Sequence, residues 1–198
     1  MMLSKGLLLG VLAGGALGSV VLLGTLIEDP QAFRRIRAWR MGARFEGLEQ
    51  VVLQAGISDC GPAALCMVLR HHGLRVSLGE LTRQAAPGPR GVRMGVLRSL
   101  AERHGLIAEC RRLRPAQLSR VPLPAVVFFE RGHFVVLEGI SPEGTLEVLD
   151  PALGRLRFPP SAFERSWKGP ILLIEPPSEP LLAMGRRTAL AGGSQCRP

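Results

Sequence analysis

The chain is poor in cysteine, lysine and aromatic side chains, and each shortage removes a class of protein. Four cysteines in 198 residues are too few for a fold stapled by disulfides. No Cys-x-x-Cys pair occurs, and two of the histidines, His71 and His72, are adjacent in the chain, so zinc-ligand spacing is missing. Lysine occurs only at Lys5 and Lys168, so the formal charge of +9 is carried almost entirely by arginine. With aromatics at 5% and no recognition motif there is no stacking platform, which argues against a nucleic-acid partner. No Gly-x4-Gly-Lys-Ser/Thr loop is present, so no ATP-driven step is expected of this chain. There are no internal repeats, and nothing in the spacing calls for a cofactor or a metal.

What is present is apolar. Hydrophobic residues make up 46% and charged residues 21%, which excludes a chain disordered throughout. The length suits one domain with extensions. Mean hydropathy is +0.21, and one segment accounts for much of it. From Gly6 to Ile27 no side chain is charged; as a helix this run spans roughly 30 Å, one bilayer core. A membrane helix is therefore expected within residues 1–30. Gly6, Gly10, Gly14 and Gly18 fall on one face, a stripe that permits a homodimer without requiring one. A cleaved signal peptide is the rival, with Ala16-Leu17-Gly18 as its cleavage site. The apolar run continues past that site through Val20 to Leu23, which favours a retained anchor. Arg34, Arg35, Arg37, Arg40 and Arg44 follow the segment and only Lys5 precedes it. The positive-inside rule then places the main domain in the cytoplasm, at the bacterial inner membrane, with the arginines near anionic headgroups.

Residues 31–48 read as a basic juxtamembrane linker, 49–176 as the main domain and 177–198 as a disordered tail. Glu49 to Gln54 reads as a short strand or an extended lead-in. Ser58-Asp59 looks like an N-cap pair, with Pro62 in the first turn of the helix it starts. Leu65, Val68, Leu69 and His72 share one helical face, and Gly73 ends the helix. Further helices are expected at 78–85 and about 95–105, the latter with Val96, Leu97, Leu100 and Ala101 turned inward. After Pro124 the pattern changes to strands, at 125–130, 133–140, 145–149, 155–158 and 171–174. Helices followed by an antiparallel sheet define an α+β domain.

Four residues stand out chemically: Gln54, Cys60, His133 and Asp150. Cys60 lies at a predicted helix N-terminus, where the helix dipole favours a thiolate. His133 opens a strand after a glycine turn, where an imidazole can accept and return a proton. Asp150 ends the next strand and can hold the second imidazole nitrogen. Gln54, six residues before Cys60, can place its amide at an oxyanion beside the Cys60 N–H. The bland readings stand beside these: a cysteine on a helix is usually a small core residue, an Asp-Pro after a strand usually only a turn. Cys66 and Cys110 fit the core reading, and His71, His72 and His104 read as structural.

The run Gln54-Ala-Gly-Ile-Ser-Asp59-Cys60-Gly61-Pro62-Ala63-Ala64-Leu65 resembles the Gln-x4-Asp-Cys-Gly-x3-Leu signature of the C39 peptidases, papain-like cysteine peptidases that process bacteriocins and other double-glycine peptides. Gly132 to Leu137 is similar to the family's histidine strand, and Asp150-Pro151-Ala152-Leu153-Gly154 to its Asp-Pro-x-x-Gly turn. Phe163 to Trp167 with Gly169 resembles its closing segment. The likeness runs in order from about residue 49 to 175. It implies a papain-like α+β fold, with Cys60 as nucleophile, His133 as general base and acid, Asp150 as its orienter and Gln54 as oxyanion donor. It implies hydrolysis after a Gly-Gly or Gly-Ala pair in the leader of a precursor peptide, and no cofactor. Ala64 stands where many members carry a second cysteine. Many members are fused to a transporter and an ATPase; here a separate ABC-type exporter is the implied partner. The competing expectation is a papain-like module that binds leader peptides or docks on an exporter without cutting.

Overall fold

The computed structural model describes residues 36–177, apart from 37, 41 and 131. The expected membrane segment, its glycine stripe, the signal-peptide alternative and the C-terminal tail lie outside the described residues. Among the described residues no helix is long and apolar enough to cross a membrane. The chain divides into two units, Met1–Arg40 and Met41–Pro198, and the sheet with its packed helices belongs to the second.

Helix α1 (Cys60–His71) forms where an unbroken apolar run of seven residues, mostly alanine, leucine and methionine, follows Pro62. Its residues from Cys60 to Leu69 are all buried, so it is a core helix rather than an amphipathic surface one. Gly73, at φ +79°, turns the chain away after it, as a left-handed residue past a C-cap does. Helix α2 (Leu78–Ala85) is capped by Ser77, whose hydroxyl accepts from the Glu80 N–H at 3.2 Å. Helix α3 is Met94–Arg103. Its Leu97, Leu100 and Ala101 are fully buried, as the periodicity predicts, but Val96 is 36% exposed. One flank of the predicted inward face therefore looks outward.

The sheet has seven antiparallel strands: β1 (Arg44–Gly47), β2 (Ile107–Arg112), β3 (Ala125–Phe129), β4 (His133–Ile140), β5 (Leu146–Asp150), β6 (Gly154–Phe158) and β7 (Trp167–Glu175). Their spatial order is β1-β6-β5-β4-β3-β7-β2. The α+β pattern is thus observed, with β4 central. Helix α1 packs on β4 and β3, and α3 on β2. Leu65, Leu69, Leu97 and Leu100 meet Val126, Phe134, Val136, Leu149 and Leu172 in one core, each such burial contributing roughly 1.5–3 kcal/mol. On alternate positions Val127, Val135, Leu137, Val148 and Ile171 are equally inaccessible, so the central strands are covered on both faces. A short helix α4 (Pro160–Ser166) adds Phe163, whose ring lies 5.4 Å from Phe129 and 5.6 Å from Trp167.

Several sequence expectations are corrected here. The end of the supposed linker, Arg44–Gly47, is the edge strand β1, paired with β6; basic and exposed, it carries no alternating apolar signal. Residues 51–54 join no strand ladder. The polar edge strand β2, the 3-10 turn Pro115–Arg120 and helix α4 have no counterpart in the pattern of apolar residues. The last strand begins four residues earlier than predicted, at Trp167. Cys110 packs half-buried on β2 against the core, as expected, but is disulfide-bonded.

Candidate active site

Three elements bring the chemistry together. The N-terminus of α1 presents Cys60, the start of β4 presents His133, and the end of β5 presents Asp150. Helix α1 starts here because Pro62 needs no N–H partner in the first turn, and the Ala63 N–H donates to the Asp59 carbonyl at 2.9 Å. Gly61 is forced by crowding: an added Cβ would lie 2.5 Å from Val92 Cγ2 and 3.2 Å from Phe134 Cδ2. The glycine therefore lets Val92 press directly on the first turn beside the sulfur. Gly132 at φ +79° reverses the chain into β4. At the same end of the sheet Gly154, at φ +111°, closes the Asp-Pro turn, where an added Cβ would lie 2.7 Å from the Gly47 carbonyl oxygen.

His133 Nε2 lies 2.8 Å from Asp150 Oδ1. The same carboxylate oxygen accepts from the Ala152 N–H at 2.7 Å, which fixes it within its own turn. The His133 side chain is 12% exposed and that of Asp150 6%. Cys60 is hydrogen-bonded to His133; since Nε2 is committed to Asp150, Nδ1 is the ring nitrogen left for the sulfur. Burial pushes the imidazole down, but the Asp150 charge and hydrogen bond, with those of Cys60, more than reverse this and hold it at about 9, against an ordinary 6.5. The attraction is mutual, so an imidazolium beside Cys60 favours its thiolate. Cys66, one turn into the same helix, is the opposite case: burial raises its thiol, with Arg70 only partly offsetting this. One cysteine of α1 is thus coupled to a charged ring and the other is packing.

Gln54 is drawn to the same place by its backbone, whose N–H donates to the Pro151 carbonyl at 2.8 Å. Its Nε2 donates to the Gly56 carbonyl at 2.7 Å, and its Oε1 is buried without a protein partner. All four singled-out residues therefore belong to one neighbourhood: Cys60, His133 and Asp150 as a hydrogen-bonded chain, and Gln54 tied to the turn that carries Asp150. Sequence reasoning missed Asp59 as anything but a cap. Its carboxylate makes no cap bond. It accepts instead from the Ala55 N–H at 3.1 Å and the Gly56 N–H at 2.9 Å, holding the loop that precedes the cysteine. Its burial, at 7% exposure, was the missing signal, and no sequence pattern reveals it.

A thiol, an imidazole and a carboxylate linked in this order, at a helix N-terminus, define the class of cysteine-dependent acyl-transfer sites. Similarity to known proteins agrees with that class. Residues 49–179 match the Peptidase C39 family, and the chain belongs to it. The probable functional amyloid protease FapD of Pseudomonas aeruginosa is 32% identical over 151 residues, covering 65% of this chain and 66% of that protein. The cyclolysin secretion/processing ATP-binding protein CyaB of Bordetella pertussis is 31% identical over 134 residues, covering 67% of this chain but only 18% of that protein. Among solved structures, a double glycine motif protease from an AMS/PCAT transporter, in complex with its leader peptide, aligns with a TM-score of 0.62 and 26% identity, over 68% of this chain and all of that one. The peptidase domain of Streptococcus ComA, at TM-score 0.59 and 22% identity over 64% of this chain and 98% of that one, shares the fold.

Proposed function

We propose that this chain is a cysteine endopeptidase that cleaves after a Gly-Gly or Gly-Ala pair ending the leader of a secreted peptide precursor. The hydrogen-bonded series Cys60–His133–Asp150 is the observation that carries the reading. In the proposed reaction the Cys60 thiolate attacks the carbonyl carbon of the pair's second residue, the last of the leader, forming the C–S bond and pushing the carbonyl electron pair onto oxygen. The Cys60 N–H and the Gln54 amide stabilise that oxyanion. As the oxygen pair returns, the C–N bond breaks, and the His133 imidazolium gives its proton to the departing amine. Water then attacks the thioester; His133 takes its proton, the C–S bond breaks, and the thiolate–imidazolium pair is restored. Asp150 keeps the ring in one orientation throughout and balances its charge. Cys60 is only 5% exposed, which leaves little room around the sulfur. A chain without large side chains at the two positions before the scissile bond is the one that reaches it.

The wider setting is part of the same proposal. Residues 1–30 anchor the enzyme in the bacterial inner membrane with the peptidase on the cytoplasmic side, where reducing conditions hold Cys110 as a thiol rather than a disulfide, and a separate ABC-type exporter takes the released peptide. Support comes from the uncharged run of Gly6 to Ile27 and the arginines after it, and from relatives such as CyaB whose names join secretion to processing. The test is cleavage of a peptide panel carrying Gly-Gly, Gly-Ala and bulkier pairs. Cleavage after the glycine-containing pairs, abolished in Cys60→Ala, is expected; cleavage that survives Cys60→Ala removes the nucleophile. A reporter fused after Pro198 reads the side of the membrane.

A further inference from the structure

We propose that Asp59 is a positioning residue for the oxyanion-stabilising amide of Gln54; the assignment rests on the peptidase reading above. The loop between Gln54 and Cys60 has no helix or strand of its own to hold it, and its one large apolar side chain, Ile57, is 86% exposed. Its order comes from polar contacts. The buried Asp59 carboxylate spends one oxygen on each of two successive backbone donors, Oδ2 on Ala55 N–H and Oδ1 on Gly56 N–H. A carboxylate is the side chain suited to this, because both its oxygens only accept and its charge strengthens both bonds. Gly56, so fixed, offers its carbonyl to Gln54 Nε2 at 2.7 Å. That bond settles the amide orientation, since the flipped amide would set two oxygens against each other. It uses one of the two Nε2 protons and leaves the second for the substrate oxygen. The other end of Gln54 is fixed by the bond from its N–H to Pro151 O.

A carboxylate directly before the nucleophile works against thiolate formation, so its presence needs a reason, and the loop supplies one. The residue acts through Gln54 and never touches the substrate. Nucleophile formation and oxyanion stabilisation should therefore come apart when it is changed. In the full chain, Asp59→Asn leaves one accepting oxygen for two donors, and Asp59→Ala leaves none. The expected result is a drop in kcat of about 10-fold for Asn, where the donor is displaced, and about 100-fold for Ala, near the roughly 100- to 1000-fold lost with an oxyanion donor, with KM little changed. Iodoacetamide alkylation of Cys60 at pH 7 should hold or rise in both. The double variant Asp59→Ala with Gln54→Ala should be no slower than Gln54→Ala alone. Unchanged hydrolysis in both variants overturns the assignment. So does a parallel fall of hydrolysis, alkylation and melting temperature, which would make Asp59 a fold residue. A wild-type chain that cleaves no leader peptide sinks the peptidase reading, and this assignment with it.

Discussion

Replacing Asp150 by asparagine isolates the charge that sustains the imidazolium. The asparagine in Asp150→Asn retains an oxygen for the His133 N–H and for the Ala152 N–H, so the geometry at 2.8 and 2.7 Å survives while the negative charge is lost. Holding His133 at about 9 instead of 6.5 favours the imidazolium by about 3 kcal/mol. Because burial acts in the opposite direction, Asp150 and Cys60 together supply more than this net amount. In the wild type the charged ring persists across neutral pH, and kcat/KM should fall only as pH approaches 9, where the proton needed by the leaving amine is lost. That limb belongs to the coupled thiol–imidazole pair rather than to the ring alone. In Asp150→Asn burial faces only the cysteine's contribution, so the limb should move down by at least one pH unit. Activity at pH 8 should fall more than activity at pH 6. The assay is kcat/KM against pH on a Gly-Gly leader peptide, with Cys60 alkylation measured in parallel. A basic limb unmoved in Asp150→Asn would refute the electrostatic account of the site.

Other outcomes follow from the same geometry. Gly61→Ala drives a Cβ to 2.5 Å from Val92 Cγ2; a loss of about 1–3 kcal/mol is expected, with Val92→Ala restoring most of the melting temperature. The raised His133 also has a signature in stability. A folded-state value above the unfolded one means stability that is full below pH 6.5 and lost as pH rises toward 9. To keep the thiol's own titration out of the measurement, Cys60→Ser should be compared with Cys60→Ser carrying His133→Gln. Only the first should lose several degrees of melting temperature across that window. With the chain reduced so that Cys110 is also a thiol, iodoacetamide should modify Cys60 well before Cys66, whose burial raises its thiol; equal rates would argue for a domain that binds without cutting.

The sequence was most legible where burial and periodicity coincide. Helix α1 follows from Leu65, Val68 and Leu69 at helical spacing, and the strands β3 and β4 from the unbroken apolar runs 125–129 and 134–137 between turn residues. It was least legible at the sheet margins. Ile107–Arg112 and Arg44–Gly47 are edge strands with mostly exposed, charged residues. Their strand state comes from hydrogen bonds offered by β7 and β6, a tertiary cause with no local signature. Helix α4 starts with Pro159-Pro160 and holds only Ala162, Phe163 and Ser166 inward, too short for a period to show. At the site, residue types and the family likeness singled out Cys60, His133, Asp150 and Gln54. The role of Asp59 as a brace, and the contact of Val92 with Gly61, depend on loops folding back over α1, which no spacing rule supplies.

The arrangement also explains why residues so far apart in sequence stay in register. Cys60 belongs to the helical layer, while His133 and Asp150 belong to the sheet, and the two layers meet through apolar packing that is not directional. Directionality enters at the Asp150-Pro151-Ala152 turn. One oxygen of Asp150 holds both the His133 ring and the Ala152 N–H, and the next carbonyl, Pro151 O, holds the Gln54 backbone. The turn therefore references the imidazole and the loop leading to the cysteine to a single rigid peptide segment. A shift of α1 against the sheet would disturb the close-packed core and would also strain the Gln54–Pro151 bond that ties the loop before the cysteine to the turn. The short Asp-Pro-x-x-Gly turn thus adds directional bonds to the register that core packing sets. Its glycine, where an added Cβ would lie 2.7 Å from the Gly47 carbonyl oxygen, anchors that segment in turn to the edge strand β1.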